Sequence, residues 1–130
     1  MKVVFDSNIF VSSLVIPGGQ AEKAILKIIE GHHSLIISKE IINEILEVLA
    51  RKFSKDRETV SRTAVYLSDL ASMVRTTRRI GVLKDEPDNR ILECAVAGGV
   101  DLIVTGDKEM LRLKQFEGIK IISLKEYLAH

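Results

Sequence analysis

Short β-branched runs recur along this chain with room for a helix between each pair, and that alternation restricts the fold more than any other feature. The runs are "KVVF" (2–5), "LIIS" (35–38), "TTRRI" (76–80), "DLIVT" (101–105) and "IKIIS" (119–123). Helical periodicity fills 20–30, 38–52, 56–74, 86–97, 107–114 and 123–129, and a further short helix begins after Asp6. Gly98-Gly99 can close one helix in the left-handed conformation, and Ser123 with Glu126 forms a capping-box pattern for the last. Strands alternating with helices predict an α/β sandwich around a mostly parallel, five-stranded sheet. A length of 130 residues with no repeat or linker predicts one domain over 1–130.

Composition narrows the function classes. Lys and Arg number 19 against 18 Asp and Glu, so attraction to a polyanion has to come from local patches rather than net charge. The single cysteine, Cys94, rules out an internal disulfide framework and suits a reducing cytoplasm. It sits in an apolar helix without a nearby base and is expected in the core or at its boundary. "MKVVFDSN" is too short an apolar run for a signal peptide, and no stretch could span a bilayer. A cytosolic protein with no membrane partner is expected.

The chemistry lies in the placement of acids. Open parallel sheets bind ligands just beyond the carboxyl ends of their strands. Asp6 follows the first strand, Asp107 follows "DLIVT" after a glycine, and Asp85 and Asp88 follow the third strand after a short loop. Three segments thus deliver acids to one sheet edge. Helical phase puts Asp88 on the face of Ile91, Leu92, Ala95 and Val96, and leaves Arg90 and Glu93 to solvent. Glu44 lies on the margin of the apolar stripe of 38–52, a fourth inward acid.

Clustered carboxylates repel one another unless a cation sits between them, and an all-oxygen set suits Mg²⁺ or Mn²⁺. Such an ion can activate water against a phosphate ester. Bland roles stand beside this one. Asp85 and Asp88 suit the start of a helix, Asp107 can cap its own short helix, and Glu44 alone fits a solvated helix face. Asp6 is hardest to dismiss, because the helix after it is expected to be too short to need a cap. Asn8 can turn the chain or meet a ligand, and Thr105 can end a strand or offer a site hydroxyl. His32-His33 diverge and suit a solvated turn. Basic residues gather at "RKFSKDR" (51–57), at "RTTRR" (75–79) and at Lys108, Arg112 and Lys114, the last group beside Asp107.

Taken together, "VVFDSNIFVSSL", Glu44 in "SKEIINEILEVL", "DEPDNRILECAVAGGVDLIVTGD" and "GIKIISLKEYL" resemble the PIN-domain ribonucleases over essentially the whole chain. The likeness is greatest to the prokaryotic branch of toxin components of toxin–antitoxin systems, the VapC-like proteins. The resemblance implies a three-layer α/β/α sandwich and an acid quartet matching Asp6, Glu44, Asp88 and Asp107, with Asp85 additional. It also implies Mg²⁺- or Mn²⁺-dependent RNA cleavage by a metal-activated water, homodimers, and a cognate antitoxin as partner. Asn8, Thr105 and Lys108 would stand around that quartet. Many toxin members carry an acid three residues beyond Asp107, where this chain has Met110. A haloacid-dehalogenase-type phosphohydrolase fits poorly, since it wants acids at Asn8 and Leu111. A PIN-like module that binds RNA or a partner without catalysis is the alternative.

Overall fold

Strands covered by helices on both faces are apolar throughout rather than on alternate residues, and this chain follows that rule. The computed structural model describes residues 1–130. β1 (Lys2–Phe5), β2 (Ser34–Ser38), β4 (Leu102–Val104) and β6 (Ile119–Ile122) are buried at nearly every position after their first residue. With β3 (Ser72–Val74) and β5 (Gln115–Phe116) they form a six-stranded sheet in the order β3-β2-β1-β4-β6-β5. All pairings are parallel except β5 with β6, and helices cover both faces, which gives a three-layer α/β/α sandwich.

The helices are α1 (Ser7–Val15), α2 (Gln20–Ile29), α3 (Lys39–Lys52), α4 (Arg57–Leu70), α5 (Glu86–Gly98), α6 (Lys108–Leu113) and α7 (Leu124–Leu128). Ser38 caps α3, Asp56 caps α4, and Ser123 with Glu126 completes the expected capping box on α7. α5 packs on β1, β2 and β3. Its C-terminal turn comes so close to β2 that a Cβ on Gly98 would lie 2.7 Å from the Ile36 side chain. Gly99 then ends the helix at φ 57°. Cys94 is buried in this layer, as expected. No helix is long and apolar enough to cross a membrane.

Three expectations need correction. The sheet has a sixth strand, because Glu117 and Gly118 both take positive φ and turn β5 back onto β6 as a two-residue hairpin. The third strand is "SMV" at 72–74, so α4 ends at Leu70 instead of running to 74. Residues 76–80 form no strand. They belong to a strap that is held to α5 by side chains.

That strap also corrects the assignment of Glu93 to solvent. Glu93 is only 4% exposed, and its Oε2 accepts from the Ile80 N–H at 2.8 Å. Arg90 donates to the Ile80 carbonyl at 3.0 Å. Its Nε also lies 3.0 Å from Glu93 Oε1, an ion pair without hydrogen-bond alignment. The fully buried Asn89 accepts from Leu83 N and donates to Leu83 O, both at 2.8 Å. Side chains thus satisfy strap peptides that would otherwise be orphaned against the helix. Beyond α5, Arg78 makes a two-pronged pair with Glu117 at 2.6 and 2.8 Å.

His33 departs from the solvated turn as well. Its Nδ1 is 2.8 Å from the hydroxyl of Tyr127, whose ring is buried in the core. Burial, and then the nearby positive charges of the N-terminus and Lys27, lower the His33 pKa.

A candidate active site at the carboxyl edge of the sheet

Asp6 ends β1 and, contrary to expectation, caps a full helix: α1 has nine residues, and Asp6 Oδ1 accepts from Asn8 N at 2.6 Å. Its Oδ2 accepts from the Thr105 hydroxyl at 2.5 Å and from Gly106 N at 3.4 Å. The residue is 3% exposed. Burial raises its pKa, and the hydrogen bonds from Thr105, Asn8 and Gly106 oppose that rise.

Thr105 joins two acids. Its hydroxyl donates to Asp6 and accepts from Asp107 N at 3.0 Å, while its own N–H bonds Ile122 O in the sheet. Asp107 caps α6 by accepting from Met110 N at 3.0 Å. Met110 itself is fully buried, so position 110 faces the core and offers the site nothing.

Asp88 lies in the first turn of α5 beside Asp107, within hydrogen-bonding reach of its side chain. Burial first, and then the negative charges of Asp107, Asp85 and Asp6, push its carboxyl up to about 7. Asp88 Oδ2 is buried and has no hydrogen-bond partner. A buried carboxyl oxygen facing three other acids is costly to ionise, so the group holds its proton to unusually high pH until a cation offsets the charge.

Asp6, Asp85 and Asp88 line a cavity of about 200 Å³ together with the half-buried Glu44 on α3 and with Asn8. Asp107 is not in that lining. It is coupled by charge to Asp88, which is. Asp85 occupies the N-cap position of α5, but its side chain makes no capping bond. Lys108 opens α6 on the exposed surface next to Asp107. Sequence reasoning missed Lys52, which lines the same cavity, because it was counted with a basic run and not with the acids. It also missed Asn89, although an asparagine inside a helix is locally unfavourable, and that cost was a usable signal.

Apart from Ser7, Asn8 and Lys52, the polar side chains that line the cavity are carboxylates, and a largely oxygen set suits a hard divalent cation. No three acidic, histidine or cysteine side chains converge into a ready-made metal cage. The arrangement therefore fits an ion held by a few carboxylates and completed by water, as magnesium is. A second cavity of about 250 Å³ shares Asn8 with this one and reaches Gly106 and Gln20. It carries no ionisable side chain.

A profile of the PIN domain matches residues 2–109, and the chain belongs to the PIN domain family. An uncharacterized protein of Methanocaldococcus jannaschii, MJ1680, is 29% identical over 118 residues, covering 88% of this chain and 76% of that protein. Two solved structures share the fold. VapBC2 from Rickettsia felis, bound to a DNA fragment from its promoter, aligns with a TM-score of 0.70 at 14% identity over 95% of this chain and 98% of that one. VapBC-1 from nontypeable Haemophilus influenzae aligns with a TM-score of 0.68 at 15% identity over 96% and 99%.

Proposed function

We propose that this PIN domain is a ribonuclease that uses Mg²⁺ or Mn²⁺ to hydrolyse RNA phosphodiester bonds, with Asp6, Glu44, Asp88 and Asp107 as its acids. The observation that carries this reading is the unpartnered, buried Asp88 oxygen among three neighbouring carboxylates. Family membership points the same way, since PIN domains are generally nucleases. A bound divalent ion would supply charge neutralisation at the phosphate and a water of lowered pKa.

The chain's own groups do the rest. Asp88 and Glu44 present oxygens to the cavity, with Asp85 beside them. Asp6 is held in one orientation by Thr105, Asn8 and Gly106, and Thr105 ties the start of α6, and with it Asp107, to Asp6. Met110 is buried and carries no carboxylate, so position 110 of α6 adds no ligand to the site. Asn8 at the cavity wall and Lys108 beside Asp107 are placed to meet substrate.

The biological role we infer is that of a cytoplasmic toxin component, acting as a homodimer and restrained by a cognate antitoxin. Support comes from the toxin-like motif order and from the fold shared with the two VapBC structures. A binding module without catalysis is the second reading, and the position of Asp107 outside the cavity lining favours it. The deciding experiment strips the protein of metal and assays RNA cleavage with and without added Mn²⁺. Cleavage that appears only with the ion supports the nuclease. RNA binding without cleavage under any divalent ion supports the module.

A further inference from the structure

A cleft of about 570 Å³ runs between α1 and the C-terminal end of α3, floored by Val11, Val15 and Val48. It shares Asn8, Val48 and Lys52 with the acidic cavity, so the two adjoin. At its far end stand Phe53 and Lys55. We propose that this cleft is the track for single-stranded RNA beside the scissile phosphate, with one base stacked on Phe53 and the backbone held by Lys52 and Lys55. This rests on the nuclease reading above.

Phe53 is 43% exposed although the chain has a well-filled core. It ends α3, and the chain then turns through Ser54 at φ 52°, a left-handed conformation that costs a serine energy where glycine would not. The fold therefore spends a strained turn at a position where the aromatic ring is left half in water. The ring is thereby left open to a ligand.

Charge selects the ligand. Neither Lys52 nor Lys55 has a carboxylate within ion-pair distance, since every ion pair in the protein is made by an arginine. Two free ammonium groups, an aromatic face and an apolar floor make up the chemistry of single-strand binding, in which bases stack and lysines follow the phosphates. Adjacency to the acids favours a nucleic acid strand over a peptide, because the strand has to reach Asp6, Glu44 and Asp88 to be cut, with a divalent cation between those acids and its phosphates. Lys52, lining both spaces, marks the junction.

The test measures fluorescence anisotropy of a labelled single-stranded oligoribonucleotide of mixed sequence with metal-free protein, across a salt series. The same strand is then cleaved with Mn²⁺. Phe53→Ala should weaken binding about tenfold, and Phe53→Tyr should restore most of it. The pair Lys52→Gln and Lys55→Gln should flatten the salt dependence by roughly 1.4 in log–log slope, two single-strand phosphate contacts. In cleavage, Phe53→Ala should raise KM and leave kcat near the parent's. Because Phe53 is a surface residue, the melting temperature of each variant reports whether the fold has held.

Parental RNA affinity and KM in a folded Phe53→Ala variant would overturn the track and leave the cleft to a protein ligand, with the nuclease reading intact. Failure of the parent to bind the strand at low salt would overturn it as well. If no protein cleaves but Phe53→Ala still loses RNA, the nuclease reading falls and the RNA-binding cleft stands.

Discussion

Asp6 and Asp88 carry the same side chain within one cluster and live in opposite circumstances. Asp6 receives two backbone N–H groups and the Thr105 hydroxyl, so its charge is met by the fold itself. Asp88 receives nothing at Oδ2 and faces three other acids. The framework therefore completes one half of the cluster during folding and leaves the other half for something that arrives later. Burial alone would rank them the wrong way, since Asp6 is buried and Asp88 only half-buried, and it is the donors that decide.

The largest effect expected from breaking this asymmetry is on chemistry. Replacing Asp88 by Asn keeps its shape and removes one charge and one hard ligand, and RNA cleavage should fall by at least ~100-fold. Undiminished cleavage in a gel assay would reduce Asp88 to a residue of the first helical turn. Thr105→Val acts on the supported half. Without the hydroxyl, Asp6 loses a donor and Asp107 N loses an acceptor, so cleavage should drop roughly 10- to 100-fold. The same change should cost ~1–2 kcal/mol in a denaturant melt. A variant with parental activity would mean that the bridge does not position either acid.

A smaller effect concerns pH. In the metal-free protein the Asp88 carboxyl keeps its proton up to about 7, whereas in the unfolded chain it releases it in the ordinary aspartate range. The native state therefore binds more protons between those values, and stability falls as pH rises through that window. Asp88→Asn should remove this slope. It should stabilise the metal-free protein at about pH 8 by on the order of 1 kcal/mol once solvent screening is allowed for, and the gain should vanish near about pH 4. Mn²⁺ should also raise its melting temperature less than the parent's. A variant less stable than the parent at the higher pH would show that Asp88 is not held at a cost. Least of all should Asp85→Asn matter. Its side chain is exposed and caps nothing, so a few-fold change in cleavage at most is expected from the loss of a screened charge. A loss as deep as that of Asp88 would move Asp85 into the central set.

The contrast between the two halves was only partly legible in the sequence. Strand ends and helical phase placed Asp6, Asp88 and Glu44 where the structure puts them, because those signals depend on one element at a time. Thr105 as a bridge between two acids depends on β1 and β4 lying side by side, which no single periodicity reports. Glu93 was misassigned for a similar reason. The face of α5 that it occupies looks polar, yet a strap from another part of the chain covers it and uses its carboxylate. "TTRRI" carries the β-branched run of a strand but is the least apolar of the five runs, and it lies in the strap instead. The actual third strand is only "SMV", hidden at the end of a helical pattern. The extra hairpin strand was signalled by Glu117-Gly118, but glutamate is a poorer mark of such a turn than asparagine or aspartate.

Those two short strands have a consequence for self-association. An open sheet invites other chains to extend it at its edges, and the invitation grows with the length of unpaired backbone. Here the outermost strands are three residues at β3 and two at β5, too few to template a stable intermolecular ladder. Growth by strand addition, the route to fibres, is closed at both sides of the molecule. Contact between copies of the chain is left to the helices and loops, where it depends on side-chain complementarity and can end at a defined number of subunits.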